Sequence, residues 1–332
     1  QVCCSREKTP YGDPDCWRFF ESVSAVPSDS HPDIFMRCCF WSAHVSSRAV
    51  VLVPDVLAGI LAPPLYGPGG AVLEAAAPPP SGVPLRLVPT GLSVHPDGTF
   101  ALLPNASVLV NIGAHMFLEA EWVEALRQPE TVLLCFEPDR EAFHRLRVWC
   151  QTVLLGHLGE RALARLHLFP CAVGPVSDPR WPFAWLHRSP YADGQCNSLL
   201  PPNPAHSSPE GSAGCGANAS PREMVLVVNL GEVLRRLGGS SAELVKVDAQ
   251  GLDLQVILSG GSLVAEKVRR LQIEVQDVAE GSERLLYAGA RTKQSSVTAL
   301  GRLGFVLDGC ESGVPELWEQ VCNFTNRRFL RG

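Results

Sequence analysis

From residue 107 onward the chain alternates between two hydrophobic rhythms. Nearly continuous apolar runs lie at 107–112, 131–136, about 166–172, 224–229, 243–248 and about 269–276. Between them, at about 116–127, 139–152, 232–237 and 252–259, apolar residues recur three and four apart. Short continuous runs read as strands buried on both faces, and the wider spacing reads as helices packed against them. Strands alternating with helices predict an α/β domain built on a mostly parallel sheet. One more helix is expected at 295–303, and 305–307 with 317–324 can supply a closing antiparallel pair.

Outside this rhythm the pattern breaks in three places. Residues 1–62 form a Cys-rich N-terminal extension, with Cys3, Cys4, Cys16, Cys38 and Cys39 in a stretch too short to build its own core. Covalent closure is the expected substitute, so disulfides are predicted within 1–45 or from there to the main domain. Residues 63–103 are a Pro/Gly-rich linker and hairpin, the hairpin turning at His95-Pro96-Asp97-Gly98. An insertion at about 175–222, rich in Pro, Ser, Gly and Asn, interrupts the domain that spans 104–332. A loop that long inside a domain is functional or disordered.

The strand ends carry the chemistry. In open α/β sheets the ligand crevice lies beyond the carboxyl ends of the strands. There the sequence sets a Gly turn at Gly113, an acid at Glu137 and an acid at Asp248. A Gly lets backbone approach a ligand, and an ionised carboxylate can accept two ribose hydroxyls. The competing reading makes Glu137 a helix cap. Lys246, in mid-strand, is expected to pair with Asp248 or Glu274.

Five motifs in order give these residues a family. They are Asn111-Ile112-Gly113-Ala114-His115, Phe136-Glu137-Pro138, Ala172-Val173-Gly174, Lys246-x-Asp248-x-Gln250-Gly251-x-Asp253 and Ile273-Glu274-Val275. Together they resemble the FkbM family of S-adenosylmethionine-dependent methyltransferases, over roughly residues 104–325. The resemblance implies a Rossmann-like methyltransferase fold with a mostly parallel seven-stranded sheet, its last strand antiparallel. It implies S-adenosylmethionine as cofactor, held by Asn111, Gly113 and Glu137, with Ala172 and Val173 bordering the adenine. It also implies a small-molecule or glycan hydroxyl as methyl acceptor. Asp248 is the first candidate for the base and His115 the second. The chain departs from the family at Asn111, where an Asp is usual, and at Gln250 and Asp253, where two Glu are usual. Met116-Phe117 follows His115 where a closing Gly is usual.

Composition narrows the setting. The chain has 332 residues, 46% apolar and 19% charged, with a formal net charge of −6. That balance, with no basic block, gives no reason to expect nucleic acid as a partner. The longest apolar stretch, 49–62, holds Pro54, Asp55 and Gly59 and is shorter than the ~20 residues a bilayer span needs. No transmembrane segment is expected, and a soluble chain is. Gln1 in place of an initiator Met reads as a processed or trimmed form. Twelve cysteines without a C-x-x-C pair, and N-x-S/T sequons at Asn105, Asn218 and Asn323, point to a secreted protein or the secretory-pathway lumen. Asn218, in the insertion, is the expected glycan carrier of the three. No metal site is assigned, although Asp248, Asp253 and Glu274 could converge. Two functions follow: an O-methyltransferase, or a catalytically inactive methyltransferase-like glycoprotein with extracellular protein partners.

Overall fold

The apolar runs become strands, and those that pair in parallel end at one edge of the main sheet. The computed structural model describes residues 92–179, 181–189, 195–206, 222–313 and 318–330. Strands Ser107–Ile112 (β1), Thr131–Phe136 (β2), Leu166–Phe169 (β3), Ala242–Val247 (β7), Val268–Gln276 (β8), Phe305–Ser312 (β9) and Glu319–Asn326 (β10) form one sheet, in the order β3-β2-β1-β7-β8-β10-β9. The pairs among β3, β2, β1, β7 and β8 are parallel, and β10 runs antiparallel to both β8 and β9. This is the seven-stranded, mostly parallel order of the Rossmann-like methyltransferase fold that the motifs imply.

Helices cover the sheet. Ala120–Ala125 (α1) and Arg140–Trp149 (α2) lie on one face. There Trp122, Leu126, Leu146 and Leu154 pack against Leu109, Leu133, Cys135 and Leu168. Full burial of such side chains contributes roughly 1.5–3 kcal/mol each. Leu155–Leu158 (α3) and Glu160–Leu163 (α4) follow α2. Leu230–Arg236 (α5), Asp253–Leu258 (α6), Ser262–Lys267 (α7) and Lys293–Arg302 (α8) come later in the chain. Their starts are written in the sequence: Asp139, Asn229 and Thr292 accept backbone N–H bonds at the N-caps of α2, α5 and α8. No helix among the described residues is long and apolar enough to cross a membrane.

The insertion departs most from expectation. Instead of only a loop it supplies Phe183–His187 (β5), which joins Arg222–Val228 (β6) and Ala172–Val173 (β4) in a second, three-stranded sheet. The run expected at about 166–172 is therefore two strands in different sheets. Leu186 seals the small sheet against Ala172, Val225 and Val227. The predicted hairpin turn forms, with an antiparallel bridge between Val94 and Phe100 and Asp97 accepting from Thr99. The cysteines expected to pair within 1–45, and Asn218, lie outside the described residues. Asn105 is exposed in a turn, whereas Asn323 sits within β10 and accepts from Gln272 at 3.2 Å.

Candidate functional site at the carboxyl edge of the sheet

Strand order reverses between β1 and β7, and both strands end at the same edge. Such a reversal opens a crevice in doubly wound sheets. Here the ends are laced closely. The Asp248 N–H donates to the Ile112 carbonyl at 2.9 Å, and the Gly113 and Ala114 N–H groups donate to the Phe136 carbonyl at 2.9 and 3.1 Å. Gly113 has φ +83°, and a Cβ there would fall 2.0 Å from the Asp248 carbonyl oxygen. Only Gly permits this turn, and its first function is to let the ends of β1 and β7 touch.

Glu137 closes β2 beside that turn. It is 6% exposed, and both its oxygens are in use: Oε2 accepts from the His115 N–H and Oε1 from the Asp139 N–H, each at 2.8 Å. Burial pushes its carboxyl up to about 8, with the Asp139 and Asp248 charges adding, and the two backbone donors pull the other way. His115 takes a left-handed φ of +55° to bring its N–H there. The cap of α2 is Asp139, not Glu137. The Asp139 carboxylate also accepts from Asn197 at 2.9 Å and pairs with Arg188 at 2.8 Å.

Asn111 is buried on β1, level with Cys135 of β2 and Lys246 of β7. Its side-chain oxygen has no hydrogen-bond partner among the described residues. Lys246 pairs with Glu119, just before α1, and not with Asp248 or Glu274. Glu119 in turn accepts from the Trp122 indole at 3.0 Å. Met116 and Phe117 do not fill the crevice with core: Phe117 is 51% exposed and Met116 takes a contact from Arg145. Ala172 and Val173 are buried in β4, paired with Val227 and Val228 of β6.

Asp248 leads into a second constellation. Gln250, at φ +50°, donates from Nε2 to Asp248 Oδ1 at 2.8 Å and to Glu274 Oε2 at 3.0 Å. Its Oε1 accepts from the Tyr287 hydroxyl at 2.8 Å. Asp253, 3% exposed, caps the Ala249–Gly251 turn through two backbone N–H groups, and burial pushes it up to about 8. Glu319 arrives from β10, pushed up to about 7 by burial and by the Asp248 charge. Gln250, Asp253, Glu274, Tyr287 and Glu319 line a cavity of about 20 Å³. That is room for one water, and far too little for a nucleoside. The three acids that the sequence marked do converge, but no group of His, Cys, Asp or Glu among the described residues is arranged to hold a metal.

The edge thus brings Asn111, Gly113, His115, Glu137 and Asp248 together around one turn. It sets Ala172 and Val173 in the neighbouring sheet. Asp139, Tyr287, Glu319 and Asn197 are participants that the motifs did not name. Only Asp139 had a signal, as an acid directly before a helical segment.

The sequence matches no protein-family model and no curated protein. Among solved structures the chain is similar to the pyocyanin biosynthetic protein PhzM, at 11% identity over 68% of this chain and 52% of that one, TM-score 0.33. It is likewise similar to magnesium protoporphyrin IX methyltransferase from Synechocystis PCC 6803 with bound S-adenosylmethionine, at 11% identity over 67% and 71%, TM-score 0.33. A third is the 1,6-didemethyltoxoflavin-N1-methyltransferase of Burkholderia thailandensis with bound S-adenosylhomocysteine, at 11% identity over 67% and 72%, TM-score 0.31. The chain spans about half the length of the first of these. Likeness at this level carries nothing about the site.

Proposed function

We propose that the chain is an S-adenosylmethionine-dependent methyltransferase of FkbM type, acting on a hydroxyl of a small molecule or glycan. The observation that supports it is the pairing of Glu137 with the Gly113 turn at the reversal between β1 and β7. The residues fit the cofactor. Glu137 spends one position of each oxygen on backbone, leaving one on each for a ribose hydroxyl, as acceptor when ionised and with one of them as donor when protonated. The unpartnered Asn111 oxygen is a buried acceptor waiting for a donor, such as an ammonium. S-adenosylmethionine supplies an electrophilic methyl group on sulfur when bound. Asp248, at the end of β7, takes the acceptor's proton, with its carboxylate held in place by Gln250. His115 is the second candidate for that proton.

One observation favours the other reading, a methyltransferase-like glycoprotein without activity that binds extracellular proteins. Glu137 is nearly closed to solvent and already satisfied by backbone, as a structural acid would be. Either function belongs in a secretory or extracellular setting. Support comes from the Cys310–Cys322 disulfide, the disulfide-bonded Cys196 and the exposed sequon at Asn105. Isothermal calorimetry with S-adenosylmethionine and S-adenosylhomocysteine separates the two readings. Binding that weakens at least about tenfold in Glu137→Gln supports the enzyme, since ~1.4 kcal/mol is a decade. No heat at millimolar ligand leaves the binding protein. A glycosidase-sensitive mass shift that Asn105→Gln removes supports the setting.

A further inference from the structure

Segment 195–203 lies outside the strand–helix alternation and is nevertheless tied down along its length. Ser198 and His187 exchange backbone bonds at 2.8 and 3.1 Å, and Asn197 donates to Asp139. The Ser198 hydroxyl, 1% exposed, donates to the Gln250 carbonyl at 2.7 Å. Beyond it the Ala288 N–H donates to Pro201 at 2.9 Å and the Asn203 N–H to Leu286 at 2.8 Å. The single Tyr287 proton is shared between Gln250 Oε1 at 2.8 Å and the Cys196 carbonyl at 3.1 Å. The segment therefore runs past residues that follow β2, β7 and β8, across the carboxyl edge.

Its β7–β8 anchors rest on acids. Gln250 is fixed by Asp248 and Glu274. One amide nitrogen thus holds two carboxyl groups side by side, Asp248 at 2.8 Å and Glu274 at 3.0 Å. Asp248 faces Glu274 from the end of β7, Asp253 from α6, Glu319 from β10 and Tyr287 from the loop after β8. Arg291 borders the same cavity, but its guanidinium is on Glu280 at 3.3 Å, and Lys293 is on Asp277 and Gln320. Among the described residues no ion pair reaches Asp248, Asp253, Glu274 or Glu319.

We propose that segment 195–203 is a proton-held latch. A proton on Glu274 keeps Gln250 and Tyr287 in place, and the segment closed over the ends of β7 and β8. Ionised, Glu274 faces the Asp248 carboxyl group across one amide, and the segment loosens while Cys196 keeps its disulfide. Burial and the Asp248, Glu319 and Asp253 charges hold Glu274 well above the usual carboxylate range. Asp253 is pushed up to about 8 and Glu319 to about 7. Groups raised in this way favour the closed form fully while they are protonated. That advantage is lost as pH rises from the ordinary carboxylate range through these values. The latch is therefore shut under mildly acidic conditions and loosens under mildly alkaline ones, whether or not the edge binds a cofactor.

Hydrogen exchange with mass spectrometry on the full chain tests this, at about pH 5.5 and about pH 8.5, corrected for intrinsic exchange rates. Protection of 196–203 should fall at least about tenfold at the higher pH, with β1 and β2 changing less. Glu274→Gln should keep the segment protected at the higher pH. Tyr287→Phe should lose protection already at the lower one. Equal protection of 196–203 at the two pH values overturns the proposal, as does a loss shared evenly with β1 and β2. So does a folded Glu274→Gln with the wild-type pH dependence. Should Glu274→Gln fail to fold, unchanged protection in Tyr287→Phe overturns it. None of these readouts depends on S-adenosylmethionine, so a failure of the methyltransferase reading is seen separately.

Discussion

The two halves of the carboxyl edge solve the same problem differently. At the β1–β2 half two buried acids, Glu137 and Asp139, each meet two backbone N–H donors. At the β7–β8 half, Asp248, Asp253, Glu274 and Glu319 crowd around one amide and one phenol. Backbone donors cannot leave, so an ionised Glu137 still has partners. Side-chain partners can leave, and an ionised Glu274 has another carboxyl as its neighbour. Fixed donors hold an edge in one shape, and a crowd of acids held by side chains leaves it open to a change of charge.

Substitutions can break or sharpen this contrast. The largest effect is expected where the halves join. Gly113→Ala drives a Cβ into the Asp248 carbonyl in a left-handed backbone. The combined strain and overlap should cost about 2–6 kcal/mol, measured as a lowered denaturant midpoint. An unshifted midpoint would mean that the two strand ends do not meet as described. Next comes Gln250→Glu, which replaces the donor shared by Asp248 and Glu274 with another acid. It should cost about 1–3 kcal/mol near pH 8 and less near pH 5.5, where the added carboxyl is protonated. A cost independent of pH would show that charge among these acids does not set the stability of this half.

Glu137→Gln should be milder for the fold, because one backbone N–H keeps an acceptor, and should cost about 1–1.5 kcal/mol. Thermal melts give the sign. Glu137 and Asp253 are raised in the folded state to about 8, so stability should fall as pH rises from the carboxylate range toward that value. The variant removes only its own share of the fall. Smallest should be Glu119→Gln, which breaks the pair with Lys246 at a partly exposed site. There the loss should stay below about 1 kcal/mol and shrink with added salt.

Much of the β1–β2 half was legible in the sequence. An apolar run ending in Glu137-Pro138, after one ending in Gly113, places an acid beside a turn once the two consecutive strands pair in parallel. The β7–β8 half was legible only in part, in the expected convergence of Asp248, Asp253 and Glu274. Asp248 and Gln250 are neighbours in sequence, but Glu274, Tyr287 and Glu319 arrive from separate segments and meet only because β8 pairs with β7 and β10. Tyr287 carries no periodic signal, and Lys246 met Glu119 across the sheet surface rather than the acids closest in sequence. The insertion hid β5 because Phe183–His187 is short and bounded by Pro-rich, polar sequence, so composition outweighed pattern. Asn197 and Ser198 reach Asp139 and Gln250, each more than fifty residues away in sequence.

The Cys310–Cys322 bond joins directly opposed residues of β9 and β10. Strand β9 is the rim of the sheet, and an open rim offers unpaired backbone groups to any passing strand. Here the rim is locked to its neighbour, kinked by a register shift at Asn323–Phe324, and marked by the exposed acids Asp308 and Glu311. A chain still assembling its parallel centre would then carry an outer hairpin that cannot come apart and template aggregation with another molecule.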